Sequence, residues 1–186
     1  VIEDWPDLGY RGFMLDISRN FTTKDNILRF IDLLAHYKVN VFHLHFGDDE
    51  GWRVEIEKFP ELTTFGAYHE FPYKNEDGEY VEENYLMPSY NGGMDPEDMS
   101  SSANGHLTKE DYIEILKYAW ECRISVIPEF DTPGHSRAAI KAMDKYAERT
   151  GDDSYLLYDP EDTSDYCSVQ YYRDNALNVA LPSTYR

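Results

Sequence analysis

The chain alternates between two kinds of apolar pattern. Short apolar runs occupy residues 12–18, 39–46 and 124–130, and each has the length of a buried β-strand. Between these runs, and after the last of them, apolar residues recur at intervals of three and four, which is the spacing of one helix face. Strands that alternate with helices in this way predict βαβ units and a parallel sheet.

Three helices are expected to pack on this sheet. The first starts at residues 22–25 and ends near Tyr37, the second runs from Thr108 to about Glu121, and the third spans residues 136–149. An acidic residue three positions after Thr108 is close to a capping box, which favours a helix start there. The apolar faces of the first two helices comprise Ile27, Phe30, Ile31, Leu34 and Ala35, and Tyr112, Ile115, Leu116 and Ala119.

Two segments depart from this alternation. Between about Gly47 and His106 it is interrupted by prolines, glycines and many acidic and tyrosine residues. Long loops inside a compact domain usually carry a function or are disordered, so we interpret about 66–106 as an insertion that forms a lid or elaborates the rim of the domain. Residues 151–186 form a polar tail with weak periodicity. We expect residues 1–186 to form a single partial domain that contains both segments.

Two closures suit a parallel sheet of this kind, an open doubly wound sheet and a (β/α)8 barrel. Neither nucleotide-binding fingerprint of open sheets, GxGxxG or GxxxxGK[ST], follows any strand. Ionisable side chains cluster instead at the carboxyl ends of the strands, where a barrel has its active site. They are Arg19 after the first strand, His43, His45, Asp48 and Asp49 on the second, and Glu129, Asp131 and His135 on the third. A complete barrel takes about 250 residues, so we predict an α/β fold of the (β/α)8 TIM-barrel type, present as a partial barrel of about three βα units plus the insertion.

Each of these polar residues has a plainer explanation when it is taken alone. Arg19 is compatible with an ordinary surface arginine, and a single interior histidine more often packs as a neutral ring than acts in catalysis. The acidic run at residues 48–50 is compatible with a solvated loop. Three strand ends that all carry ionisable groups favour a site, because charges buried without partners are costly.

Composition narrows the classes of partner. The chain has 36 acidic residues against 17 basic ones, for a formal net charge of −19. A surface of this charge repels phosphate backbones and anionic lipid, so nucleic acid is not an expected partner. No apolar run approaches the ~20 residues that span a bilayer, and the N-terminus has no basic segment followed by an apolar stretch. Cys122 and Cys167 lack the spacing of a metal knuckle, so no metal site is expected at the cysteines.

Four motifs together resemble the opening of the catalytic barrel of glycoside hydrolase family 20. They are RGFMLDISR at residues 11–19, NVFHLHFGDDEGWR at 40–53, FPEL at 59–62 and IPEFDTPGH at 127–135. Their order and spacing agree with the family over about residues 9–143, with a longer insertion than usual. The resemblance implies a β-N-acetylhexosaminidase that removes terminal non-reducing N-acetylglucosamine or N-acetylgalactosamine from glycans. It implies no cofactor and no metal, and it favours a location outside the cytoplasm.

The resemblance also implies a substrate-assisted, retaining mechanism, in which the acetamido group of the sugar acts as the nucleophile. In the family, the acid and its helper are an adjacent Asp-Glu pair in a Gly-Gly-Asp-Glu type of motif. This sequence contains no such motif, because its dipeptide of Asp49 and Glu50 lies in the second-strand motif. We therefore expect these 186 residues to be inactive alone. A partial barrel also exposes strand edges, which should favour self-association through those edges.

The roles that the resemblance carries over are supporting ones. Arg19 would hold hydroxyl groups of the non-reducing sugar, which the planar guanidinium fork suits well. Asp48 and His135 would form a relay that orients the missing glutamic acid and adjusts its pKa. Asp131 would fix the turn that leads to His135. The remaining pocket residues would be His43, His45, Asp49, Trp52, Arg53 and Glu129.

Two functions of other classes remain open at this stage. The pair His43 and His45 also resembles the first metal-binding element of amidohydrolase-type enzymes, in which Asp131 and His135 would be further ligands. The aromatic content of 15% would also suit a sugar-binding module without catalysis. Metal analysis separates the first alternative from the glycosidase, because only the metalloenzyme requires stoichiometric zinc.

Overall fold

The computed structural model describes residues 1–68 and 103–186. Most of the predicted insertion at about 66–106 therefore lies outside the described residues. The described elements are, in chain order, β1 (Gly12–Asp16), α1 (Lys24–His36), β2 (Val41–Asp48), β3 (Gly51–Trp52), α2 (Glu61–Thr64), α3 (Lys109–Glu121), β4 (Ser125–Phe130) and α4 (Arg137–Thr150). Two short 3-10 helices follow in the tail, at Asp153–Tyr155 and Pro182–Tyr185.

The three predicted strands form one sheet with β2 at its centre. β2 pairs in parallel with β1 on one side and with β4 on the other. The two-residue strand β3 turns back and pairs antiparallel with the end of β2. The predicted parallel sheet is confirmed, and within the described part of the chain no strand pairs with the outer edge of β1 or β4.

The helices begin and end close to the predicted residues, for local reasons. At the start of α1, the Thr23 hydroxyl accepts a hydrogen bond from the backbone N–H of Asn26. At the start of α3, Thr108 and Asp111 form a complete capping box, with both hydrogen bonds at 3.1 Å. α4 ends at Gly151, whose φ of 70° lies in the left-handed region that glycine adopts without strain. No helix in the described ranges has both the length and the apolar character needed to cross a membrane.

One face of β2 forms the core with α1 and α3. Phe42, Leu44 and Phe46 are fully buried on that face. They pack in one apolar cluster with Ile27, Ile31, Leu34, Ile115 and Ala119 of the two helices. The predicted helix faces are therefore confirmed at their centres, but Leu116 was wrongly placed in the core, because it is 38% exposed.

The opposite face of the sheet has a different character. Met14, His43 and Ile127 lie side by side in the register of β1, β2 and β4, and the apolar members of this row are 46% and 41% exposed. The next row toward the carboxyl ends consists of Asp16, His45 and Glu129. Charged side chains thus replace apolar ones at the end of the sheet where the sequence predicts a site.

Arg53 holds the segments around this end of the sheet together. Its side chain is completely buried, and its guanidinium donates to the backbone carbonyls of Ser18, Ala67 and Gly105 at 2.6 to 3.1 Å. The approach is so close that a Cβ atom added at Gly51 would lie 2.6 Å from the guanidinium. Arg53 therefore joins the end of β1 to both described borders of the insertion, and its role in the frame is structural.

Replacing Arg53 by methionine should destabilise the chain strongly. The change leaves buried carbonyl oxygens without their donor, so we expect the free energy of unfolding to fall by about 3 kcal/mol. Urea unfolding followed by circular dichroism measures this difference. The matched control is Arg29→Met on the exposed side of α1, which should change stability little. Equal effects of the two substitutions would contradict the assigned role.

Candidate active site

The candidate site is built around a row of ionisable residues at the carboxyl ends of three parallel strands. Asp16 on β1, His45 on β2 and Glu129 on β4 are direct neighbours in the sheet register. Partners in register have their side chains on the same face, so the three groups converge. The sequence prediction that these strand ends meet is confirmed for His45 and Glu129, and it had not included Asp16.

His45 is held between two carboxylates. It is 2% exposed, its Nδ1 lies 2.8 Å from Glu129 Oε2, and its Nε2 lies 2.9 Å from Asp48 Oδ2. Burial alone would lower the pKa of His45, but the hydrogen bonds to Asp48 and Glu129 outweigh it and raise the pKa to about 9. His45 is therefore an imidazolium cation at neutral pH. His43, one layer below, lies with its Nε2 2.9 Å from the same oxygen of Glu129.

Arg19 contacts three carboxylates at once. Its Nη1 lies 2.8 Å from Asp16, its Nη2 2.6 Å from Asp48 and its Nε 3.1 Å from Glu50. Burial would lower the pKa of Arg19, but the hydrogen bond to Asp16 and the nearby negative charges raise it above its ordinary value. Its Nη1 also lies 3.3 Å from His45 Nε2, so contacts on several sides fix the orientation of the guanidinium. The side chain remains 25% exposed, which gives a ligand access to it.

Asp48 and Asp49 are adjacent buried carboxylates with opposite shifts. Burial would raise the pKa of Asp48, but hydrogen bonds from His45 and the backbone, together with the charge of Arg19, lower it. For Asp49 the effect of burial dominates and raises the pKa. The hydrogen bonds from Asn175 and from the backbone N–H of Arg137 lower the pKa, but by less. Asp48 is thus held as an anion by two cations, whereas Asp49 is stabilised mainly by neutral donors.

His135 faces both of these carboxylates. Its Nδ1 lies 3.1 Å from Asp49 Oδ2 and 3.3 Å from Asp48 Oδ1. The residue has a φ of 55°, a left-handed conformation that costs about 1 kcal/mol in a residue other than glycine. The surrounding turn maintains it, because Asp131 N–H donates to the Gly47 carbonyl at 3.1 Å and the Ser136 hydroxyl donates to the Asp131 carbonyl at 2.8 Å.

Of the other residues predicted for the pocket, Trp52 and Asp131 line a cavity, whereas Arg53 does not. Trp52 stacks on Phe130 with ring centroids 4.7 Å apart, and its Nε1 donates to the Val54 carbonyl at 2.7 Å. Together with Asp131 it lines a cavity of about 210 Å³ next to Asp48 and His135. The apolar residues that line the cavity include Leu62, Met143, Leu157 and Leu177. Arg53 does not line this cavity, because its guanidinium is directed to backbone carbonyls elsewhere in the frame.

Sequence reasoning missed three members of the site. Glu50 was read only as part of an acidic run, although it is 3% exposed and bound to Arg19. Asp16 lies in the first motif, at residues 11–19, but was given no role there. Its Oδ1 accepts hydrogen bonds from the backbone N–H groups of Ser18 and Arg19. Asn175 comes from the polar tail and donates to Asp49 at 2.9 Å. Nothing in the local pattern around Asn175 indicated this contact.

The geometry disagrees with the amidohydrolase alternative. That alternative requires His43 and His45 to offer nitrogen atoms to one metal ion, but both rings face the same oxygen of Glu129. Within the described residues, the groups whose atoms lie close enough to share an ion are His45 with Asp48 and Asp131, and Asp48 with Asp49 and His135. His43 belongs to neither group.

Comparison with known proteins gives a consistent family match. The model of the glycosyl hydrolase family 20 catalytic domain matches residues 8–186. A beta-hexosaminidase of Vibrio vulnificus is 43% identical over 99% of this chain, and an N,N'-diacetylchitobiase of Vibrio harveyi is 41% identical over all of it. In both cases the aligned region is 21% of the relative's own length, so the chain spans about a fifth of these relatives.

Solved structures give the same match. A family 20 exo beta-N-acetylglucosaminidase of Vibrio harveyi, in complex with N-acetylglucosamine, superposes with a TM-score of 0.75 at 38% identity. The match covers 98% of this chain and 24% of that one. A beta-N-acetylhexosaminidase of Streptomyces coelicolor matches 73% of this chain and 22% of its own, with a TM-score of 0.54 at 36% identity.

The charge of His45 predicts a dependence of stability on pH. Its pKa rises from 6.5 to about 9 on folding, so protonated His45 stabilises the folded chain fully below pH 6.5. This contribution is lost as the pH rises toward 9. We expect His45 to contribute a fall of about 3 kcal/mol in the free energy of unfolding across this window, measured by urea unfolding at fixed pH values.

The substitution His45→Gln should remove most of this fall. The matched control is His36→Gln at the exposed end of α1, which should leave the fall in place. If the His45→Gln chain showed the same pH dependence as the unsubstituted chain, the assignment of a charged His45 would be wrong.

Proposed function

The chain belongs to glycosyl hydrolase family 20, and from that premise we propose that it is part of an enzyme that removes terminal non-reducing N-acetylhexosamine from glycans. The observation that carries this proposal is the position of Arg19. Its guanidinium is fixed by carboxylates at the carboxyl end of a parallel sheet, and its side chain remains 25% exposed to a ligand. The proposal is also supported by relatives named beta-hexosaminidase and N,N'-diacetylchitobiase.

In this proposal Arg19 binds two hydroxyl groups of the non-reducing sugar. Charge-assisted hydrogen bonds from a guanidinium fork fix both the position and the orientation of a vicinal diol. The contacts of Arg19 to Asp16, Asp48 and Glu50 hold the fork in place before the sugar arrives. Such preorganisation reduces the entropy lost on binding.

The reaction proposed is a substrate-assisted hydrolysis with retention. The carbonyl oxygen of the 2-acetamido group attacks the anomeric carbon, and the bond to the leaving oxygen breaks as a carboxylic acid gives that oxygen a proton. Water then attacks the anomeric carbon and gives a proton back to the same carboxylate, while the bond from that carbon to the acetamido oxygen breaks and restores the acetamido group. This route needs no protein nucleophile, and the described residues supply binding and positioning groups.

Asp48 and His135 act behind the acid in this scheme. The Nδ1 of His135 faces the carboxylates of Asp48 and Asp49, which leaves Nε2 to point toward a partner outside the cluster. We propose that this partner is the acidic glutamate of a Gly-Gly-Asp-Glu type of motif, which these 186 residues do not contain. The imidazole would orient that glutamate and adjust its pKa to the working pH.

The finer fold assignment belongs to the same proposal. We place residues 1–186 in a single (β/α)8 catalytic domain, of which they supply about three βα units. Among the described residues no strand pairs with the outer edges of β1 and β4, and in this proposal these edges pair with further strands, either of the same domain or of a second copy. The face that bears Met14, His43 and Ile127 would then become the barrel interior.

Kinetics of the longer enzyme test the roles of Arg19 and His135. Arg19→Lys keeps the charge but loses the fork, so we expect KM for a chromogenic N-acetylglucosaminide to rise about 30-fold with little change in kcat. His135→Ala should lower kcat about 100-fold with little change in KM. Arg29→Lys on the exposed surface of α1 is the control. Unchanged constants in the Arg19→Lys enzyme would refute the binding role.

The 186-residue chain alone should not turn over the same substrate. The reason is chemical, since no acid of the expected motif is present to protonate the leaving oxygen. An assay of the purified chain with the chromogenic substrate tests this, with the longer enzyme as the positive control. Turnover that is retained in the chain and lost in its His135→Ala variant would overturn the division of roles proposed here.

A further inference from the structure

The polar tail is fastened to the turn that carries His135. Backbone hydrogen bonds run from Ser136 N–H to the Asn175 carbonyl at 2.9 Å and from Leu177 N–H to the Pro133 carbonyl at 2.7 Å. The two segments therefore lie side by side over several residues. Asn175, at the centre of this contact, is 3% exposed.

The side chain of Asn175 reaches a carboxylate of the candidate site. Its Nδ2 donates to Asp49 Oδ2 at 2.9 Å, and this is the oxygen that lies 3.1 Å from His135 Nδ1. The other oxygen of Asp49 accepts a hydrogen bond from the backbone N–H of Arg137 at 3.1 Å. Both oxygens are thus fixed, so the carboxylate has one orientation toward the imidazole.

The backbone of Asn175 is held just as firmly. The hydroxyl oxygen of Tyr166 accepts hydrogen bonds from the backbone N–H groups of Asn175 at 2.7 Å and of Ala176 at 2.8 Å. Next to it, Asp174 pairs with Arg137 at 2.9 Å and with Lys141 at 3.0 Å, which ties the tail to α4. The amide of Asn175 is therefore delivered to Asp49 by a rigid segment.

Asp49 needs such a donor more than most carboxylates do. It is 1% exposed and adjacent to the anionic Asp48, and burial raises its pKa. The hydrogen bonds from Asn175 and from the Arg137 backbone oppose this effect. Without this donor, both the charge and the orientation of the carboxylate are less well stabilised. His135 Nδ1 would then lose the fixed position of its nearer acceptor, at 3.1 Å, and would retain Asp48 Oδ1 at 3.3 Å.

We infer that Asn175 is a positioning residue, which acts through Asp49 to keep the proton of neutral His135 on Nδ1 and its Nε2 directed away from the cluster. The contact is independent of any reaction, whereas its consequence for catalysis rests on the proposed function. Asn175 lies in the polar tail, about forty residues after the turn that carries His135.

The test is the tautomer of His135 in the chain labelled with ¹⁵N-histidine. Long-range ¹H–¹⁵N correlation spectra distinguish the ring protonated on Nδ1 from the ring protonated on Nε2. We expect wild-type His135 to be mainly the Nδ1–H form when neutral, and Asn175→Leu, which removes the donor, to reduce that fraction by about half or more. The matched control is Asn178→Leu, whose side chain accepts from Ala180 N–H in the same tail and does not contact the site.

Folding of each variant is checked by circular dichroism, and Asn175→Ala, which removes the donor without adding a charge, is the second variant if Asn175→Leu does not fold. An unchanged tautomer in a folded Asn175 variant, or an equal change in Asn178→Leu, overturns the inference. In the longer enzyme, Asn175→Leu should lower kcat about tenfold and leave KM nearly unchanged. A shifted tautomer with unchanged kcat would keep the positioning role and instead contradict the proposed role of His135 in the reaction.

Discussion

The arrangement depends above all on the buried carboxylate of Asp48. One of its oxygens, Oδ2, lies 2.6 Å from Arg19 Nη2 and 2.9 Å from His45 Nε2, and its side chain has no exposed surface. A buried anion of this kind is stable only if cations and donors surround it, and both cations in turn require further anions. This explains why Glu129, Glu50 and Asp16 gather at the same end of the sheet. Removal of Asp48 would therefore take one carboxylate partner from each of the two cations.

The strand register makes this cluster geometrically available. Parallel pairing of β1, β2 and β4 places Asp16, His45 and Glu129 in one row, one layer above Met14, His43 and Ile127. A shift of the register by one residue would move the charged row into the apolar core beneath the helices. That shift would also expose the buried side chains of Phe42, Leu44 and Phe46, which is costly. The hydrophobic core of the chain therefore also determines the geometry of its polar site.

The parts that the sequence could predict are those encoded locally. Strand ends, helix caps and apolar faces were recovered because each depends on neighbouring residues, as the capping box of Thr108 and Asp111 shows. The convergence of His45, Asp48, Glu129 and His135 also followed, since parallel strands end at one edge of a sheet. Arg53 was assigned to the pocket because its motif is contiguous with pocket residues, whereas its contacts are backbone carbonyls far along the chain. The role of Asn175 could not be predicted, because it depends on how a tail without periodicity packs against a distant turn.

The charges of the cluster do not balance, and this bears on the kind of ligand it suits. Arg19 and the protonated His45 face four carboxylates at 2.6 to 3.1 Å, those of Asp16, Asp48, Glu50 and Glu129. An anionic substrate would be repelled by this excess of negative charge, whereas the hydroxyl groups of a neutral sugar, the ligand of the proposed function, could satisfy the donors and acceptors there. In the proposed reaction, a transition state that develops positive charge at the anomeric carbon would gain from the same field. The pairing that stabilises the fold thus also suits the neutral, polyhydroxylated ligand of the proposed function.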